Sequence, residues 1–357
     1  MTNKAPANNF DAAVLIGRFQ PFHHGHAQLL QWALDSAPQV VIVLGSSFHA
    51  RSTKNPFTWQ ERASMIGACL SEADKERIRF VAVRDYYDDV RWAHAVQKKV
   101  HALITDAKQV ALIGHFKDAS SYYLNRFPRW QLIEADQTTA MDGPLDATLI
   151  RRVLFESEDI NVSLDVVDQF LPKAIRQYIK AWVIYPHFAD LVKEHLQLNK
   201  YKTAWKAAPY APIFSTVDAV VKAAEHILLV QRGGFPGKGL WALPGGFLEQ
   251  DERLLQGAIR ELTEETNLAV LDSTLENALV DVKVFDHPGR SQRGRTITHA
   301  HFFDLQTDHL PDITAADDAA AAAWVPISAL AAMEEVFFDD HFHILDHFLT
   351  LTELDHC

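Results

Sequence analysis

The sequence predicts an α/β protein in two units, the first a doubly wound parallel sheet. Three observations carry this. The chain has 357 residues, against roughly 150 for an ordinary domain. Residues 12–185 alternate short apolar runs with stretches of helical spacing, as in successive strand–helix–strand units. From residue 213 the pattern turns to strands grouped around one long amphipathic helix. A composition of 48% apolar and 22% charged residues excludes a disordered, collagen-like or coiled-coil chain.

The elements follow in order. Residues 12–16 read as a buried strand, and 27–34 as a helix with Leu29, Leu30, Ala33 and Leu34 at helical spacing. Residues 40–44 are the next strand and the longest purely aliphatic run, far below the ~20 residues that cross a bilayer. A polar loop over 45–58 leads to a helix over 60–70, and further strands are expected at 78–83, 110–113 and 131–134. A parallel sheet of this kind places its sites at the carboxyl ends of the strands. Residues 166–208 are helical, rich in Lys and aromatics, and end at Pro209-Tyr210-Ala211-Pro212. Strands then run over 215–222 and 226–231, followed by a Gly/Pro loop, the long helix, more strands, and an alanine-rich turn over 319–323 into Trp324. The expected division is a first domain at 1–185, a helical connector at 186–212 and a second domain at 213–357.

Charge and cysteines narrow the partners. With 34 Lys and Arg against 46 Asp and Glu the formal net charge is −12, which argues against a basic face for long nucleic acid. The first ten residues are polar with no apolar stretch behind them, so neither a leader peptide nor a membrane partner is expected. Cys69 and Cys357 cannot build a disulfide framework, which suits a reduced cytoplasm.

The first chemical signal is Gly17-Arg18-Phe19-Gln20-Pro21-Phe22-His23-His24-Gly25-His26, between the first strand and the first helix. A glycine permits close backbone approach, and a helix N-terminus with free N–H groups favours phosphate. Imidazoles there can donate hydrogen bonds to a phosphoryl group in transfer, a reaction that needs positioning and charge stabilisation above all. The plain alternative is that the histidines only cap the helix.

His23-x-Gly25-His26 resembles the signature of the nucleotidylyltransferase superfamily, whose domain is Rossmann-like. The longer run resembles its nicotinamide mononucleotide (NMN) adenylyltransferase branch, and Gly45-Ser46, Asn55-Pro56-Phe57-Thr58 and Glu61-Arg62 extend the match. A second family motif corresponds to residues 145–151, where Thr148 and Arg151 fit and Asp146 replaces a serine. Asp146 is read as a helix N-cap turned from the ligand. The resemblance implies that His23 and His26 contact the ATP phosphates, that Arg18 and Arg151 brace the triphosphate, and that Gly17, Phe19, Gln20, Asn55 and Thr148 line the substrate site. Asp85 and Trp92 fall where that branch places nicotinamide-pocket residues; Trp92 either stacks on nicotinamide or belongs to the core. Arg51 and Lys54 either reach phosphate or are solvated surface charges.

The second signal is Gly246-x5-Glu252-x7-Arg260-Glu261-Leu262-x-Glu264-Glu265-x-Asn267-Leu268. Helical spacing gathers Glu261, Glu264 and Glu265 on one face near the negative end of their helix. Like charges so spaced each cost a helix ~0.2–0.5 kcal/mol, a conflict that a hard divalent cation removes. Leu255, Ala258, Ile259 and Leu262 form the apolar stripe opposite. The run resembles the Nudix box, which implies an α/β/α sandwich with a mixed sheet. The family has glycine where Asn267 stands, and Asn is the next-best residue for a left-handed helix stop. The resemblance implies metal binding by Glu261, Glu264, Glu265 and the Gly245 carbonyl. It gives Gly246 and an Arg260–Glu252 pair structural roles.

Outside the box, the segment His287-Pro288-Gly289-Arg290-Ser291-Gln292-Arg293-Gly294-Arg295 is similar to one in Nudix proteins that act on or sense ADP-ribose. Arg290, Arg293 and Arg295 would meet phosphate there. Asp339, Asp340, His341, His343 and His347 could bind metal in principle, but lack a clear third ligand at helical spacing.

Both halves together, with Tyr201-Lys202-Thr203-Ala204-Trp205 and the proline segment behind it, resemble the bifunctional NMN adenylyltransferase/ADP-ribose pyrophosphatase family. That implies ATP, NMN and ADP-ribose as small-molecule substrates and Mg²⁺ as cofactor, with Mn²⁺ also compatible. It leaves a homo-oligomer open. Two alternatives remain at this stage: a Nudix half acting on NADH or a dinucleoside polyphosphate, and a Nudix half that only senses an NAD metabolite.

Overall fold

The computed structural model describes residues 10–115, 119–134, 147–156 and 159–352. The chain divides into two compact units between Val192 and Lys193.

In the first unit, β1 (Ala12–Gly17), α1 (His24–Ser36), β2 (Gln39–Leu44), α2 (Trp59–Gly67), α3 (Glu72–Arg77), β3 (Ile78–Ala82), α4 (Asp89–His101), β4 (Val110–Gly114) and β5 (Gln131–Glu134) build a five-stranded sheet of order β3-β2-β1-β4-β5. Every pairing is parallel. The strands are apolar runs because both faces are covered. Ala13, Leu15, Val40, Ile42 and Leu44 join one cluster with α1 and α2, while Val14, Ile16, Val41 and Val43 join another with α4. After β5 come α5 (Ala147–Glu156), α6 (Ile160–Val167), α7 (Lys173–Trp182) and α8 (Pro186–Ala204), and the division between the units falls inside α8.

The second unit contains β6 (Ile213–Ala223), β7 (His226–Arg232), β8 (Trp241–Ala242), β9 (Gly245–Phe247), α9 (Leu254–Thr266), α10 (Asp272–Ala278), β10 (Leu279–Phe285), β11 (Arg295–Asp304), β12 (Ala319–Pro326), α11 (Ile327–Leu330) and α12 (His341–Leu349). Its sheet runs β10-β11-β6-β7-β12, with β8 beside β7 and β9 beside β6. The β11–β6 pair is parallel and the other pairs antiparallel, so the sheet is mixed. Ala219, Val221, Leu228 and Phe303 pack on α9, and Val220, Ile227, Leu229 and Ala300 on α12, giving the three-layered sandwich.

Three local expectations change. The first helix begins at His24, a turn earlier than its apolar spacing suggested, because His23 and His26 cap it. Residues 272–278 form a short helix where only strands were expected. The alanine segment is strand β12, paired residue by residue with β7, and not a turn. Alanine has weak strand preference, but an edge position beside a buried strand overrides it.

Candidate active sites

The first site forms where β1 and β2 end. The Gly45 N–H donates to the Gly17 carbonyl at 3.0 Å, closing the two strand ends together. A Cβ on Gly17 would stand 2.8 Å from the Phe19 ring, and Phe19 itself has φ +51°. Gln20 is buried and pairs with the Phe57 backbone, donating from Nε2 to its carbonyl (2.8 Å) and accepting its N–H at Oε1 (3.0 Å). That ties the glycine–histidine loop to the Asn55–Phe57 turn.

His23 and His26 open α1. The Nδ1 of each accepts the other's backbone N–H at 3.4 Å, and their rings stack 3.6 Å apart. Capping and chemistry are therefore compatible: a ring accepting at Nδ1 carries its neutral-form proton on Nε2, as a donor. Arg151 from α5 is buried; it donates to the Gln20 carbonyl at 2.7 Å and to Thr148 Oγ1 at 3.2 Å. The loop, Thr148 and Arg151 are thus one assembly, while Arg18 is exposed. Asp146 lies outside the described residues.

Asp85 accepts from Ser46 Oγ at 2.7 Å and stands 3.3 Å from His49 Nε2. Trp92 is half-buried and packs edge-on against Tyr123 and Phe127. Tyr123 in turn donates from its hydroxyl to the Ile16 carbonyl at the end of β1. Arg51 forks onto Glu61 at 2.6 and 2.8 Å and donates to the Pro56 carbonyl, so it holds the loop's shape and is not a solvated charge.

The residue with the largest unassigned role is Arg62. It is buried at 1% exposure, and it donates to the carbonyls of Arg18 (2.6 Å), Gly45 (2.7 Å) and Ser46 (3.3 Å) and to Ser47 Oγ (3.2 Å). Burial pushes its guanidinium down to about 10, still protonated at neutral pH. One side chain therefore fixes both strand-end loops. Its sequence signal was only its place beside Glu61 in a family motif.

The second site is built on α9. Arg260 donates to both Glu252 oxygens (2.9 and 2.7 Å), to Glu261 (3.0 Å), to Glu264 (2.8 Å) and to the Phe247 carbonyl (3.3 Å). The expected Arg260–Glu252 pair is present. Glu265 is buried and accepts the Gly245 N–H at 3.0 Å. The glycines allow this closeness: a Cβ on Gly245 would stand 2.3 Å from the Val217 carbonyl, and one on Gly246 would stand 2.5 Å from Glu261 Oε1. Asn267 ends α9 in the left-handed conformation with φ +42°.

Among the described residues no group of three or more His, Cys, Asp or Glu side chains is drawn together as a finished metal site. Glu261 and Glu264 face Arg260, and Glu265 faces Gly245. The donor set nevertheless fits a divalent cation. Burial, with Asp318 and Glu261 close by, pushes the Glu265 carboxyl up to about 9. A hard cation among these oxygens relieves that repulsion.

Behind the site runs a buried polar network. His341 Nδ1 accepts the Leu243 N–H at 2.8 Å, and its Nε2 stands 4.0 Å from Asp218 Oδ1. Asp218 accepts from Thr298 Oγ1 and lies opposite Gly245 in the β6–β9 register. Arg290 forks onto Asp340 (2.9 and 2.8 Å) and donates to Thr296 Oγ1 (3.0 Å). Arg290, expected to meet phosphate, is buried, and Asp340 takes its fork. Asp340 and His341 are network members and do not form a separate metal group. Arg295 donates to the Asp286 carbonyl, closing the base of its loop. Arg293 lies over the rings of Phe247 and Phe338, at 5.2 and 5.5 Å. Asp218, Asp318 and Arg232 carried no signal in the sequence, since they come from strands and loops far from the box.

A parallel α/β sheet with a capped histidine loop at its strand ends, joined to a carboxylate-bearing helix under a glycine loop, defines a nucleotidylyltransferase fused to a Nudix hydrolase. The Cytidylyltransferase-like family model matches residues 14–139 and the NUDIX domain model residues 212–348. The chain is 40% identical over 173 residues to the nicotinamide/nicotinic acid mononucleotide adenylyltransferase of Acinetobacter baylyi, a match spanning 48% of this chain and 87% of that one. It is 27% identical over 170 residues to the nicotinamide-nucleotide adenylyltransferase of Pyrococcus furiosus, spanning 47% and 81% respectively. The crystal structure of a bifunctional NMN adenylyltransferase/ADP ribose pyrophosphatase from Francisella tularensis, complexed with AMP and manganese, superposes with a TM-score of 0.87 at 36% identity, over 96% of this chain and 99% of that one. The chain belongs to the family of bifunctional NMN adenylyltransferase/ADP-ribose pyrophosphatases.

Proposed function

We propose that residues 1–185 transfer AMP from ATP to NMN, giving NAD and diphosphate, and that residues 213–357 hydrolyse ADP-ribose to AMP and ribose 5-phosphate, with 186–212 as connector. In the first reaction a phosphate oxygen of NMN bonds to the α-phosphorus of ATP as the bond to the diphosphate oxygen breaks, with no covalent enzyme intermediate. His23 and His26 donate from Nε2 to the phosphates, and Arg18 and Arg151 offset charge on the triphosphate. Gly17, Phe19, Gln20, Asn55 and Thr148 shape the cradle. Asp85 and Trp92 receive the nicotinamide ribotide. The fixed loop geometry supports this reading, with Arg62 and Arg151 locking the backbone before substrate arrives.

In the second reaction a water oxygen bonds to one phosphorus of the diphosphate as the bond from that phosphorus to the bridging oxygen breaks. The other phosphate leaves with the bridging oxygen, and the protons of water end on the two products or in solvent. A divalent cation such as Mg²⁺ or Mn²⁺, when bound, would supply the charge that polarises the diphosphate and activates that water. Glu261, Glu264, Glu265 and the Gly245 carbonyl are the groups that would hold it, while Arg260 and Glu252 brace the loop over the helix. The observation that carries hydrolysis over mere sensing is the complete carboxylate set on α9, with Glu265 buried beside Asp318. No helix among the described residues is long and apolar enough to cross a membrane, and we place the enzyme in the cytoplasm, acting on small molecules, with no nucleic-acid partner.

The test offers the full chain and Mg²⁺ equal concentrations of ADP-ribose, NADH, NAD and diadenosine polyphosphates, with products separated by chromatography. AMP and ribose 5-phosphate from ADP-ribose, well ahead of the rest, is the expected result. A different winner would overturn the substrate; no hydrolysis at all beside intact NAD synthesis would turn the second unit into a sensor.

A further inference from the structure

Arg232 ends β7, outside the Nudix box and outside the arginine loop. Its guanidinium lies 4.3 Å over the Phe338 ring, and its Nε donates to the Pro236 carbonyl at 3.0 Å. The guanidinium of Arg293 lies 5.5 Å over that same ring and 5.2 Å over Phe247. Two cations thus share one aromatic platform, on the side of the unit where the Nudix carboxylates stand. The residue after Arg232, Gly233, donates its N–H to the Asp318 carbonyl at 3.0 Å, and Asp318 neighbours Glu265.

Stacking two guanidiniums on a single ring brings like charges together in a place where Arg232 is largely desolvated, and burial with Arg293 close by lowers its affinity for its proton. Ring faces attract cations and hold their planes. Asp318, Asp339 and Glu265 offset part of the repulsion between the two guanidiniums. A diphosphate supplies oxygens enough for a metal on the Glu265 side and two guanidinium forks on the other. The platform is rigid. Phe338 N–H donates to the Trp241 carbonyl at 2.9 Å, and the next two residues but one are tied down by the Arg290–Asp340 pair and the His341–Leu243 bond. Rigid donors bind with less loss of side-chain freedom.

We propose that Arg232 and Arg293, stacked on Phe338, form an anion clamp that holds the diphosphate of a nucleoside diphosphate derivative against the carboxylate face of α9. Arg232 is then a substrate-binding residue of the Nudix reaction. The proposal rests on the hydrolytic reading of the second unit and adds the residues that grip the substrate.

The test is steady-state kinetics of the full chain, with Arg232→Gln, Arg232→Lys and Arg293→Gln compared with the parent on whichever diphosphate of the panel it hydrolyses best. The expected result is a KM raised by about tenfold or more in both glutamine variants, a smaller change in kcat, and an unaltered half-saturating Mg²⁺ concentration. Arg232→Lys should recover part of the loss, keeping the charge without the planar fork. NAD synthesis by each variant reports that the chain is intact, and Arg293→Gln, at a half-exposed position, serves where Arg232→Gln does not fold. A KM unchanged in Arg293→Gln would overturn the clamp. Should ADP-ribose prove a poor substrate of the parent, the substrate assignment falls, and the KM on the preferred diphosphate still decides the clamp.

Discussion

His341 shows what a single buried side chain contributes. Its ring accepts the Leu243 N–H and so sets the path of the chain into Gly245. Burial pushes its pKa down to about 4, with Arg290, Arg232 and Arg293 adding to the shift and Asp218 opposing it. The unfolded chain, with an ordinary histidine near 6.5, therefore binds more protons than the folded one between those values. Stability from this group is complete above about pH 6.5 and is lost as pH falls towards 4, on the order of 3 kcal/mol. His341→Gln keeps an acceptor for Leu243 without a titrating ring. Urea unfolding of the second unit at pH 7, 6 and 5 should show a shallower decline for this variant than for the parent; parallel declines would reject the assignment. None of this was legible in the sequence, where His341 read only as one of several histidines near an acidic pair. The partner of Arg290 was hidden for the same reason: spacing reveals a guanidinium's type but not the carboxylate fifty positions away that pairs with it.

At the scale of elements the sequence spoke more clearly. The apolar runs of β1, β2 and β4 are buried on both faces, so continuous hydrophobicity was a sufficient signal for them. The helix α9 was legible too, because its apolar residues and its carboxylates recur at helical spacing, although Glu265 proves to be buried along with the stripe. Strand β12 was not, since its alanines owe their conformation to pairing with β7 and not to any preference of their own. The short strand β9 was equally hidden, and it carries the closest backbone approach of the second site. A side chain at Gly245 would meet the Val217 carbonyl at 2.3 Å, whereas one at Gly234 would meet nothing within 4 Å. Gly245→Ala should therefore lose roughly 1–3 kcal/mol of stability, the usual cost of overpacking, and most of the Nudix activity, while Gly234→Ala stays near the parent. Denaturant midpoints and hydrolysis rates of the pair check this, and equal behaviour would show that β9 can shift away from β6.

On the scale of the whole molecule, each unit has its own sheet, its own clusters of buried apolar side chains and its own complete set of candidate groups. No side chain assigned to one reaction is borrowed from the other unit. Two consequences follow for variants of the full chain. His26→Ala removes a phosphate donor and half of the reciprocal cap on α1, and should lower NAD synthesis by a hundredfold or more, on the order of a lost preorganised donor in a transfer site. Its ADP-ribose hydrolysis should match the parent. Glu265→Gln should do the reverse, because an amide keeps an acceptor for the Gly245 N–H while surrendering the charge that a cation requires. Both activities measured on each purified variant decide the matter. Loss of both reactions in a folded His26→Ala protein would mean that the second unit depends on the state of the first. Hydrolysis unchanged in Glu265→Gln at saturating Mg²⁺ would remove that carboxylate from the metal-holding groups and leave Glu261 and Glu264 to carry the role.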